Sequence, residues 1–176
     1  RAPFITSLAE VFMLRRILPD VEKEGNLIRS LWDRLSPLPG GRTIYSRLLC
    51  VMAPYTGTIN PRVEELRRGY CRVTMRDRRG IRNHLRSVHA IALINIGEVA
   101  GNLALAYSLP DNARFIPVGI SIEYYKKARG TITGIGEAPI LENNERQEYK
   151  AKVSLRNDSD EEVARVVLTT LVGPKR

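Results

Sequence analysis

The sequence predicts an α+β protein in which a curled antiparallel sheet wraps around one long central helix, with a helical extension over residues 1–40 and the sheet domain over 41–176. Three observations lead there. Residues 89–106 are apolar in nearly every helical direction (Ile91, Leu93, Ile94, Ile96, Val99, Leu103 and Leu105), the mark of a helix buried on most sides. Two strand-like segments precede that helix and four follow it, with no helical pattern between the four, which implies antiparallel pairing. The chain has 176 residues, 43% of them hydrophobic, enough for one domain with its own core.

In chain order, "DVEKEGNLIRSLWDRL" (residues 20–35) reads as an amphipathic helix with Val21, Leu27, Ile28, Leu31, Trp32 and Leu35 near helical spacing, weakened in its first half by Gly25. "SPLPGG" breaks it. "RTIYSRLLCVMAP" predicts a second helix with Ile44, Leu48, Leu49 and Met52 on its apolar side. "GTINPRVEEL" and "YCRVTMRDR" are two extended segments around the turn "RRG". Ile59, Val63 and Leu66 alternate only roughly, whereas Cys71, Val73 and Met75 alternate cleanly. Beyond the long helix come "RFIPVGISIEYY", "GTITGIGEAPI", "EYKAKVSLRN" and "EEVARVVLTTLV". The first places Ile116, Val118, Ile120, Ile122 and Tyr124 on one face. The last two are joined by "NDSDEE", whose Asn157, Asp158 and Asp160 suit a hairpin turn.

With 28 Lys and Arg against 19 Asp and Glu, the net charge is +9, which suits an anionic partner. The cations are spread along the chain and carry no nucleic-acid fingerprint, so nucleic acid is not the expected partner. Cys50 and Cys71 sit among apolar or β-forming residues and read as packed free thiols. Two cysteines and two histidines make a metal site improbable on composition. Residues 88–109 form the longest apolar run, but Asn95, Glu98 and Asn102 interrupt it, so no membrane span is expected. "RAPFITSLAEVFMLRRIL" combines arginines, hydroxyls and a single acid, like the mature side of an organellar presequence. That composition points to a mitochondrial location, with the cytoplasm as the alternative.

The long helix carries its polar residues in one stripe: Asn95, Glu98 and Asn102 follow at spacings of three and four. Gly97 and Gly101, four apart, would let another backbone approach closely. A carboxylate on such a helix faces solvent through a gap, is a satisfied structural acid, or lines a cleft, where apolar surroundings would favour its use as base or nucleophile.

These residues resemble the active-site segment of hotdog-fold acyl-CoA thioesterases of the phenylacetyl-CoA (PaaI-like) type. That family places an Asn, six residues later a His-Gly-Gly at the start of the central helix, and nine residues after the His an Asp or Glu. Asn83, His89 and Glu98 stand at those intervals, and "ISIEYYKKARG" is similar to the family's strand that ends in an aromatic and leads to a Gly. The resemblance covers about residues 44–172. It implies hydrolysis of an acyl-CoA thioester. The Ala90 N–H would polarise the carbonyl, Glu98 would attack or activate water across a dimer interface, Asn83 would orient water or the carbonyl, and His89 would shape the loop. Lys126, Lys127 and Arg129, just after a strand, would hold the coenzyme A phosphates; coenzyme A enters as part of the substrate, and no separate cofactor or metal is implied. The partners implied are acyl-CoA and a second copy of the chain, as a homodimer or a dimer of dimers. Two departures stand out. The family's two glycines are Ala90 and Ile91 here, and the Ser or Thr that many relatives carry early in the next strand falls near Pro117, with Ser121 the nearest hydroxyl. They leave a rival reading, a non-catalytic hotdog subunit that binds acyl groups or serves a larger assembly.

Overall fold

The structure, a computed structural model, describes residues 25–175. The presequence-like segment and Val21 lie outside the described residues. Helix α1 (Leu27–Leu35) begins later than the pattern over 20–35 predicts. Asn26 caps it, its Oδ1 accepting from the Arg29 N–H at 3.0 Å, and Gly25 just before takes a left-handed backbone with φ +106°. Helix α2 (Gly41–Met52) turns a different side inward from the one expected. Tyr45, Ser46 and Val51 are buried and Ile44 is exposed. Local pattern offered two stripes, and tertiary partners chose between them. The Tyr45 ring meets Trp32 edge-on at 5.1 Å, and Ser46 Oγ donates to Arg42 O and accepts from the Val63 N–H. A short helical turn, α3 (Pro54–Gly57), lies between α2 and the stretch read as extended, which becomes a strand only from Arg62.

Strands β1 (Arg62–Arg67) and β2 (Tyr70–Met75) precede helix α4 (Ala90–Ser108), and β3 (Ala113–Tyr124), β4 (Ile132–Glu137), β5 (Gln147–Arg156) and β6 (Glu162–Pro174) follow it. All pair antiparallel in one sheet of order β1-β2-β4-β5-β6-β3, which leaves β1 and β3 at its edges. Two bulges explain where alternation in the sequence was imperfect. In β1 the register slips between Val63 and Glu65, so Val63 and Leu66, three apart, both face the core. In β3 it slips between Pro117 and Gly119. Ile116 then lies opposite Leu171 and Ile120 opposite Leu168, three positions apart on β6, so the two side chains take opposite faces. The single apolar face expected for Ile116 through Tyr124 is thus split, with Ile120, Ile122 and Tyr124 on the helix side. The clean alternation of Cys71, Val73 and Met75 holds, all three fully buried. Both cysteines are free thiols, and burial raises the pKa of each.

Helix α4 lies in the curl of the sheet. Its glycines make room for side chains: a Cβ on Gly97 would sit 2.6 Å from Val166 Cγ2, and one on Gly101 3.3 Å from Leu168 Cδ2. The close backbone approach expected at these two positions occurs on the strand side instead. A Cβ on Gly136 of β4 would lie 2.4 Å from the Ala100 carbonyl oxygen. By length and composition alone α4 is apolar enough to cross a bilayer, as a buried core helix can be. The sheet and helices packed around it account for that character. At its C-terminus α1 supplies further donors: Asn26 Nδ2 donates to Leu109 O and to Ala106 O, which also accepts the Leu109 N–H, and an Arg29 nitrogen donates to Tyr107 O and Leu109 O.

Candidate active site at the start of the central helix

The chain enters α4 through a loop organised by Asn83. Its Oδ1 accepts from the Leu85 N–H (2.9 Å), the Ser87 N–H (3.3 Å) and Ser87 Oγ (3.1 Å), and its own N–H donates to Ser87 O. Arg86 completes the turn at φ +56° and donates its N–H to Asn83 O. With three donors already on Oδ1, any direct contact of Asn83 with a bound group would have to use Nδ2. The Val88 N–H donates to Ala128 O and the His89 N–H to Ile81 O, both at 2.8 Å, so the last residues before the helix are clamped from two sides.

His89 is the N-cap. Its backbone is extended and its Nδ1 accepts from the Ile91 N–H at 3.1 Å. An accepting Nδ1 places the proton of the neutral ring on Nε2. The cap thus consumes one of the helix's orphan donors. The Ala90 N–H, the first of the helix, has no partner among the described residues. It sits at the positive end of a 19-residue helix, where developing negative charge is favoured. The Ala90 carbonyl accepts from Tyr124 Oη at 3.4 Å, and burial raises the Tyr124 pKa, which keeps that hydroxyl protonated.

The polar stripe is graded along the helix. Asn95 is buried and donates to Tyr55 O at 3.3 Å, Asn102 is half-buried with its Oδ1 enclosed and unpaired, and Glu98 is exposed. Ala90 and Glu98 are eight residues apart, roughly 12 Å along the axis. That exceeds what one thioester carbonyl can bridge, since a donor and an attacking oxygen must each lie about 3 Å from the reacting group. Within one chain the structure therefore brings together Asn83, His89 and Ala90 but leaves Glu98 apart from them.

Lys126, Lys127 and Arg129 are exposed and flank the buried Ala128, whose carbonyl holds Val88. That link brings the cations to the same end of α4 as His89. Lys126 pairs with Glu161 at 2.6 Å, and this bond holds the Glu161 carboxyl below its usual range. Sequence reading missed Asp77, whose carboxylate binds Arg82 through both oxygens and accepts the Gly130 N–H at 3.2 Å, lacing the two loops together. Its signal was present: it is the lone acid in "RDRRGIR". His84 is an exposed loop residue.

Residues 41–172 match the family described as a domain of unknown function, DUF4442. The chain belongs to that family. Among curated proteins, none matches it. Among solved structures, a structural-genomics protein is similar over 84% of this chain and 98% of its own, with 29% identity and a TM-score of 0.73. A probable thioesterase from Pseudomonas aeruginosa aligns over 78% of this chain and 97% of its own, at 23% identity and TM-score 0.66. A thioesterase from Haemophilus influenzae aligns over 68% and 82%, at 14% identity and TM-score 0.61. The fold of this DUF4442 member is the hotdog fold of thioesterase-family proteins, as the resemblance in its residues implied.

Proposed function

We propose that this DUF4442 protein is a homodimeric acyl-CoA thioesterase. The observation that carries the reading is the helix start, where His89 consumes the Ile91 donor and leaves the Ala90 N–H at the positive end of α4. That N–H donates to the oxyanion as water adds to the thioester carbonyl. On the general-base route Glu98 of a second copy takes the proton from the attacking water. Collapse of the tetrahedral intermediate breaks the C–S bond, and the departing thiolate is protonated from the carboxyl group. On a nucleophilic route Glu98 of a second copy adds to the carbonyl, the thiolate leaves and takes its proton from solvent, and water then hydrolyses the mixed anhydride. The second copy is required because Ala90 and Glu98 of one chain lie too far apart. Its docking face is suggested by edge strand β3 and the helix beside it, where Ile91, Val118, Ile120 and Tyr124 are all exposed. Lys126, Lys127 and Arg129 would hold the nucleotide phosphates at the rim.

One observation favours a second reading, a binding or structural subunit without hydrolysis. Ile91 stands 49% exposed next to Ala90, where the resembling family has a glycine, and its side chain narrows the approach to the N–H. A chain-length panel of acyl-CoA thioesters, hydrolysed by the wild type and by Glu98→Gln, separates the two. The amide keeps the side chain's size and, at an exposed helical position, should preserve the fold. Catalysis through Glu98 should fall about 10²- to 10⁴-fold, the range for a lost general base. An active wild type with an equally active Glu98→Gln removes the carboxylate from the mechanism. Binding without hydrolysis by either protein establishes the second reading.

A further inference from the structure

Three loop segments are knitted together around the start of α4. The His89 N–H donates to Ile81 O, the Val88 N–H to Ala128 O and the Gly130 N–H to Asp77 Oδ2, and Arg82 pairs with Val88 in a β-bridge. Residues 78–89, "RRGIRNHLRSVH", hold four arginines and no acid, and residues 126–131, "KKARGT", hold three cations and no acid. The nearby carboxylates are already engaged. Asp77 binds Arg82, Glu161 binds Lys126, Asp158 accepts from the Thr131 N–H, and Asp160 faces Arg156. Arg79, Arg86, Lys127 and Arg129 are exposed, and none has an acidic partner among the described residues.

The turn 83–87 projects from the Arg82–Val88 bridge. Asn83 Oδ1, with its three donors, holds the shape of that turn, and Arg86 keeps φ +56° in it, a backbone that few side chains adopt unless their surroundings impose it. Within the turn Leu85 is 50% exposed, between the exposed His84 and Arg86. A turn bonded in this way cannot fold the leucine away. An apolar side chain presented among guanidiniums matches a surface with anions outside and hydrocarbon just beneath, which is an anionic bilayer. Nucleic acid offers the anions without the apolar layer, and residues 78–89 contain no Phe, Tyr or Trp on which its bases could stack.

We propose that this end of the molecule docks on anionic membranes, with Leu85 entering the headgroup layer and Arg79 and Arg86 pairing with lipid phosphates. The proposal goes beyond hydrolysis, and its test reads none. The full chain is sedimented with vesicles of phosphatidylglycerol or of phosphatidylcholine. The wild type should bind the anionic vesicles, less so as salt rises, and not the zwitterionic ones. A cation near an anionic surface is worth about fivefold in binding, so Arg79→Gln/Arg86→Gln should bind roughly 25-fold more weakly. Lys150→Gln/Lys152→Gln removes the same charge from exposed positions on the face of β5 turned away from α4, and should bind within about threefold of wild type. Leu85→Ser should bind about tenfold more weakly. The emission of Leu85→Trp should shift to the blue on anionic vesicles, against the constant signal of buried Trp32. The proposal fails if the two double variants lose binding equally, if both kinds of vesicle are bound alike, or if the Leu85→Trp emission does not move. It fails too if Leu85→Ser changes light-scattering mass but not vesicle binding, which makes the turn a contact between copies, or if polyglutamate or RNA is bound at a salt concentration where vesicles are not.

Discussion

Replacing Asn26 by Ala removes three hydrogen bonds that sew α1 to the end of the central helix. Its Oδ1 caps α1 at the Arg29 N–H, and its Nδ2 donates to Ala106 O at 2.7 Å and Leu109 O at 3.1 Å. A lost N-cap costs about 1 kcal/mol. Each of the two carbonyl bonds contributes about 1 kcal/mol, less where water can replace the donor, and both are only part-buried. The sum is about 2–3 kcal/mol, or roughly 4–12 °C in Tm for a domain of this size. Two further variants divide it. Asn26→Ser keeps a capping oxygen but cannot span both carbonyls, so it should recover about half. Asn26→Asp keeps the cap but sets a carboxylate against two carbonyl oxygens at a helix C-terminus, so it should be no better than Ala. Urea and thermal unfolding at one fixed protein concentration read all three, since association would shift apparent stability. An Asn26→Ala protein within about 0.5 kcal/mol of wild type, or an Asp variant as stable as wild type, would refute the docking of α1 on the helix end.

Gly136→Ala should be severely destabilising, about 3 kcal/mol or more, because its Cβ would meet the Ala100 carbonyl oxygen and backbone cannot swing aside. Gly119→Ala, whose Cβ would make an ordinary 3.7 Å contact with Thr169, is the control and should be near neutral by the same denaturation curve. Ile120→Lys places a charge on the exposed apolar side of edge strand β3 and should shift light-scattering mass from dimer to monomer while circular dichroism stays unchanged. If mass does not change, β3 is not the dimer contact. Glu162, bonded to Arg165 at 3.0 and 2.7 Å, has its carboxyl held below the usual range by that bond. Its contribution to stability is therefore complete above the unfolded carboxylate value of about 4.3 and is lost as pH falls through the folded value. Glu162→Gln should accordingly flatten the acid limb of the stability profile. Cys71, fully buried with its thiol pKa raised by burial, should react with a thiol reagent only as fast as the chain opens, and half-buried Cys50 faster.

Periodicity in the residues determined the order of elements. A helix apolar all round has to be enclosed, and runs of alternating strands have to pair antiparallel, so two strands, a buried helix and four strands could be read directly. The turns were legible for the same local reason: Asn157 Oδ1 accepts from the Ser159 and Glu161 N–H groups, a bond pattern written in "NDSDEE". The intervals from Asn83 to His89 to Glu98 were also visible, because they lie along one stretch of chain. What tertiary structure decided are matters between distant residues. The β3 bulge at Pro117–Gly119 flips Ile116 to the face opposite Ile120, and a pattern of apolar letters cannot reveal a one-residue slip against β6. The inward side of α2 was chosen by Trp32 and Val63, neither of which belongs to that helix. For Glu98 the sequence left open whether it faces solvent or lines a cleft; it stands exposed on the single chain, because whether a helix position is covered depends on what packs there and not on its neighbours in sequence.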